Sequence, residues 1–196
     1  MAELHLAQHE QADRLLSSDP LALLIGMVLD QQIPLEWAFQ GPYTLRDRLG
    51  RDYDATALAE MEPDELTKLF AARPALHRYP ASMAKRVQEL ARHLVEQYDG
   101  KAENVWNTAT SGLELRRRIE ALPGFGAQKA RIFVALLGKQ LGVRPAGWEE
   151  AAGDFGKPGT FMSVADIRDP DTLARVRAFK QAKKAAAKDK AAAAKE

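Results

Sequence analysis

The stretch Leu122-Pro-Gly-Phe-Gly-Ala-Gln-Lys129-Ala constrains this chain more than any other. Before it, Ser111 followed by Glu114 reads as a capping box opening a helix that runs to Leu122. After it, Ala127–Leu141 is apolar on nearly all sides from Ile132 to Leu137, and such a helix belongs in the centre of a fold. Gly124 and Gly126 permit positive φ and let backbone approach a ligand closely. The restarted helix offers unpaired N–H groups and a positive dipole end, which suits a phosphate. Arg116, Arg117, Arg118, Lys129 and Arg131 surround it in sequence. An ordinary helical joint also uses a glycine cap, but the buried second helix and the basic flanks favour the phosphate reading.

Helix signals dominate elsewhere too. Asp19-Pro20 is a cap and first-turn proline ahead of the apolar run Leu21–Leu29. Pro34 opens a segment that Gly41-Pro42 should interrupt, because proline removes a helical hydrogen bond. Asp54 and Pro63 start two short helices, and Met83, Val87, Leu90, Ala91, Leu94 and Tyr98 follow three-and-four spacing. Asp169-Pro170 starts a last helix through Phe179. From Lys180 to Glu196 the Lys/Ala-rich sequence has no apolar face and reads as a mobile tail. Trp37, Trp106 and Trp148 read as core, with Trp148 also able to stack on a base. Convincing alternating strands are absent, so the fold class is all-α.

Composition narrows the function. The chain has 196 residues, enough for one core or two small lobes, and no cysteine. That excludes disulfides, thiolate metal sites and iron–sulfur clusters. His5 and His9 stand one helical turn apart without a third ligand, so no metal site is expected. The longest apolar run is too short to cross a bilayer, and the N-terminus carries no export signal, so a cytoplasmic protein without membrane contact is expected. A net charge of +1 hides asymmetry: residues 114–144 carry seven Lys/Arg against two Asp/Glu, and residues 180–196 six against two. Basic segments in a near-neutral chain suit a polyanion partner.

Leu122-Pro-Gly-Phe-Gly126 resembles the hairpin of the helix-hairpin-helix (HhH-GPD) superfamily, which includes endonuclease III, adenine glycosylase and alkyl-base glycosylases. Upstream, Asp19-Pro-Leu-Ala-Leu-Leu-Ile-Gly-Met-Val-Leu-Asp-Gln-Gln32 is similar to that family's apolar helix ending in a glutamine element. The two occur in the family's order and at about its separation. The resemblance implies a monomeric, two-lobed helical fold with a cleft, residues 21–138 forming one lobe and 1–20 with 139–179 the other. It implies that Leu122, Pro123, Gly124, Phe125, Gly126, Gln128 and Lys129 contact double-stranded DNA, a monovalent cation bridging hairpin carbonyls to phosphate. Gln31 or Gln32 would fill the gap left by a flipped base; a plain polar helix end is the alternative for each.

Two departures bear on the chemistry. Gln128 stands where the family's lyase members carry their lysine, and Lys129 lies about 100° further round the helix. A monofunctional N-glycosylase is therefore expected, without lyase activity. Ungapped counting puts Ala146 where the family has its aspartate, so the first acids beyond, Glu150, then Asp154, then Glu149, are the catalytic candidates, with Asp30 and Asp166 behind them. A carboxylate can activate water and stabilise a cationic sugar. The competing reading is a DNA-binding protein that has lost the acid.

Overall fold

The structure, a computed structural model, describes residues 3–193. It is all-α. Eleven α-helices are present among the described residues, and the isolated extended pairing recorded there is one parallel bridge between Ser111 and Ala146.

Two helices with runs buried on all sides organise the core. Helix α2 (Pro20–Leu29) buries every side chain from Leu21 to Leu29, and Asp19 caps it by accepting from the Leu21 and Ala22 N–H groups at 2.9 and 3.2 Å. Helix α9 (Ala127–Gln140) buries Ala130 and the run Phe133–Gly138. Around α2 pack α1 (Glu10–Ser18) and α3 (Leu35–Leu49), while α4 (Ala55–Glu60) and α5 (Pro63–Ala71) cover α6 (Pro80–Tyr98). The short α7 (Asn104–Asn107) leads to α8 (Gly112–Glu120), which packs with α10 (Trp148–Ala152) against α9. Two 3-10 turns, Gly153–Gly156 and Val164–Asp166, also rest on α9 before α11 (Pro170–Ala193).

Several local readings are corrected. Helix α3 is not interrupted: it runs through Pro42, which is buried with Gly41. A Cβ on Gly41 would stand 2.5 Å from Leu29 Cδ1, so this helix lies so close to α2 that packing outweighs one lost hydrogen bond. The Ser111 hydroxyl does accept from Glu114 N–H, but the Glu114 carboxylate reaches Thr110 rather than Ser111. Trp37 is not core; it is exposed and its Nε1–H donates to Ala75 O. Helix α11 does not stop at Phe179 but continues to Ala193, with side chains exposed from Lys180 to Ala187. The end of the expected tail, residues 194–196, lies outside the described residues.

Candidate functional site

The hairpin forms as its glycines require. Phe125 N–H donates to Leu122 O at 3.0 Å, closing the turn, and Phe125 packs edge-on against Phe133 of α9. Gly124 adopts φ +87°, and a Cβ there would meet Arg86 Cδ at 2.9 Å and Val28 Cγ2 at 3.1 Å. Gly126 differs: its backbone is extended, and a Cβ would meet nothing within 4 Å. It is the N-cap of α9 and supplies no side-chain cap, so the first N–H groups of α9 have no acceptor among the described residues. Gly126 thus keeps the surface bare for close approach, while Gly124 satisfies the chain's own geometry.

The negative end of α2 meets the positive end of α9. Lys129 spans the junction, its ammonium donating to Met27 O at 2.6 Å and reaching Val28 O at 3.4 Å. Burial, aided by the nearby Arg86 charge, lowers its pKa to about 8, although Asp30 pulls the other way. Beyond the helix the two glutamines separate. Gln31 is tied down: its Nε2 donates to Val28 O at 2.7 Å, its Oε1 accepts from Arg86 at 3.2 Å, and its carbonyl lies 2.8 Å from His77 Nε2. Gln32 is exposed and held at φ +58°, a left-handed conformation costly for a residue with a Cβ. Because His77 Nδ1 accepts from Tyr79 N–H at 3.0 Å, Nε2 is the protonated nitrogen that donates to Gln31. The buried ring stays neutral, its pKa lowered by desolvation.

These elements wall a cavity of about 480 Å³, lined by Met27, Asp30, Gln31, Gln32 and Ile33, by Gln128, Lys129 and Ile132 of α9, and by Phe155, Met162, Ser163 and Val164. Phe179, Lys180 and Lys183 of α11 complete it. Asp30 is the one carboxylate in this wall. It is the C-cap of α2, where helix-end carbonyls already concentrate negative charge. Burial raises its pKa, with Lys180 and Lys129 opposing, and its carboxylate accepts no hydrogen bond from the described residues.

Glu149, Glu150 and Asp154 are not brought to that cavity. The two glutamates are exposed on α10, and Asp154 is exposed and paired with Lys157 at 2.5 Å. Glu149 instead lines a separate cavity of about 490 Å³ with Trp148, Lys139 and Arg144. Lys139 lies ten residues along α9 from Lys129, about 15 Å at 1.5 Å per residue. Trp148 packs its ring on Gly138 there, where a Cβ would stand 2.2 Å from it. Ala146 is a backbone anchor, its carbonyl accepting from Gly112 N–H at 2.8 Å. Asp166 is already partnered: it pairs with Lys139 at 2.6 Å and accepts from the Met162 and Ser163 N–H groups. Of the basic residues flanking the hairpin in sequence, Arg118 is spent on Glu114 and Thr108, while Lys129 reaches the cavity.

The model of the HhH-GPD superfamily base excision DNA repair protein matches residues 25–194. The chain belongs to this superfamily. It is thus a base-excision DNA repair protein whose partner is DNA, in a superfamily made up generally of DNA glycosylases. Comparison with curated proteins and with solved structures yields no match. Lacking cysteine, this HhH-GPD protein has no thiolate to ligate an iron–sulfur cluster. No described helix is long and apolar enough to cross a membrane. Reading the sequence alone misses His77 and Arg86, which contact Gln31 from 46 and 55 residues away, and places Asp30 behind Glu150, Asp154 and Glu149, although Asp30 is the one of the four that lines this cavity. The signal available for Asp30 was its type: an acid directly after an apolar helix stands at the wrong end of the dipole.

Proposed function

We propose that this protein is a monofunctional DNA N-glycosylase that flips a damaged or mispaired base out of duplex DNA and hydrolyses its bond to the sugar. The observation that carries this reading is Asp30: a partly buried carboxylate without a described hydrogen-bond partner, in a cavity beside the open N-terminus of α9. Leaving an acid unpaired at a helix C-terminus costs stability, and such a cost is tolerated where chemistry uses it. As the base departs, Asp30 stabilises the positive charge on the sugar and takes a proton from the attacking water. Its raised pKa makes it a better base than an exposed aspartate. The hairpin from Leu122 to Gly126 and the Gln128–Lys129 turn of α9 hold the strand; the same hairpin residues would hold a monovalent cation, which would supply positive charge toward a phosphate. Gln32, exposed and in a left-handed conformation, fills the gap in the duplex, while Gln31 sets its position.

Water is the nucleophile in this scheme, because Gln128 cannot form a Schiff base and Lys129 donates to two helix-end carbonyls. Glu149, Glu150 and Asp154 do not line the cavity, which favours the non-catalytic reading if Asp30 fails to act. The test is incubation with duplexes each bearing one modified or mispaired base, followed by alkali cleavage of abasic sites. Base release that requires Asp30 and leaves no borohydride-trapped protein–DNA adduct is the expected result. Full activity in Asp30→Asn with loss in Glu150→Gln would return the role to α10, and no release from any duplex would favour a binding protein.

A further inference from the structure

A nucleotide drawn into the Asp30 cavity brings two phosphates with it. They cannot enter with the base, so they must rest at the rim. There they face a problem, because the cavity holds a carboxylate and phosphates are anions; like charges at close range in a partly dry site repel. A cationic group at the rim removes that repulsion. Lys129 cannot be that group without abandoning Met27 O and Val28 O.

Helix α11 supplies two other candidates. Leu173 and Val176 bury against the core, and Arg177 pairs with Glu36 at the start of α3, a few residues beyond Gln32. Those contacts carry the next turn over the cavity, so that Phe179, Lys180 and Lys183 line it. From Lys180 to Ala187 the helix buries nothing, so apolar burial does not explain its position. Neither lysine forms a hydrogen bond or ion pair among the described residues. The distal cavity contrasts with this, because its cations are committed: Lys139 to Asp166, Arg144 to Gly138 O, and Arg168 to Lys139 O.

We propose that Lys180 and Lys183 form a phosphate-binding rim on the Asp30 cavity, holding the phosphodiesters that flank the nucleotide inside it. This rests on the glycosylase reading above. It assigns these two lysines a role at the target nucleotide that differs from general attraction to DNA. Lys184 is the internal control: it carries the same charge on the same helix but does not line the cavity.

The experiment measures affinity of the full chain for two duplexes at matched salt, one undamaged and one bearing a tetrahydrofuran abasic analogue that flips readily. Wild type should prefer the analogue. Lys180→Gln/Lys183→Gln should lose affinity for the analogue at least about tenfold more than for the undamaged duplex. Its log–log salt slope on the analogue should fall by about 0.9 for each phosphate contact removed. Lys180→Arg/Lys183→Arg should restore both, and Lys184→Gln should weaken the two duplexes alike. A double Gln variant that keeps the wild-type preference, or that behaves as Lys184→Gln does, overturns the rim while leaving the glycosylase reading intact. Absence of any preference in wild type overturns both. All three side chains are exposed, so folding does not confound the comparison.

Discussion

Replacing Asp30 by Asn separates catalysis from stability. The side chain keeps its size and loses its charge. In the reaction proposed, that charge lies beside a sugar developing positive character. At about 4 Å and an effective dielectric near 20, two unit charges interact by about 4 kcal/mol. Each 1.36 kcal/mol of barrier is tenfold in rate, so Asp30→Asn should slow base release by about three orders of magnitude. Stability should move the other way. A carboxyl whose folded pKa is raised contributes stability below its unfolded value, near 3.8, and loses it as pH rises through the folded value. At neutral pH the ionised group therefore weakens the fold, and it also sits at the C-terminus of α2. Asparagine removes both penalties, while withdrawing a favourable charge from Lys129. Single-turnover release on a confirmed substrate, paired with thermal melting at pH 7, reads both quantities. A variant that is slow because it melts well below wild type would refute the assignment, since Asp30 would then be a structural acid. So would full activity.

Three further outcomes follow from the same geometry. Gly124→Ala should destabilise by about 1–2 kcal/mol because the position is left-handed and crowded by Arg86 and Val28, whereas Gly126→Ala should melt as wild type yet bind DNA more weakly; equal melting of the two variants would contradict the division of roles. His77 has a lowered folded pKa, so its stability contribution is complete above its unfolded value near 6.5 and is lost as pH falls through the folded value. Denaturant titrations from pH 7 to 5 should show a decline that His77→Gln reduces. Asp166→Ala strands Lys139 in a site where the pair is 10% and 4% exposed, and should cost about 3–5 kcal/mol; a variant as stable as wild type but unable to release base would instead make Asp166 the catalytic acid.

What could be read from residues alone was whatever depends on neighbours in the chain. Asp19, Asp54 and Ser111 cap helices because a short acceptor meets N–H groups two or three residues away. Helices α2 and α9 are central because the runs Leu21–Leu29 and Phe133–Gly138 have no polar face to offer solvent. The family resemblance, carried by Leu122–Gly126 and the Asp19–Gln32 segment, rests on the same local chemistry. Register along a loop is different. Counting beyond α9 reached Ala146 and then Glu149, Glu150 and Asp154, but which way α10 faces is decided by Trp148 seating on Gly138 and by the Ser111–Ala146 bridge. With those contacts made, Glu149 and Glu150 stand exposed and outside the Asp30 cavity. The cavity joins Asp30 to Lys129 and to Lys180, a hundred and fifty residues downstream, and no local pattern encodes a pairing at that range. Tertiary packing alone also gave the two adjacent glutamines different environments: Gln31 is bound by Arg86 and His77 from distant turns, and Gln32 is left exposed at a positive φ.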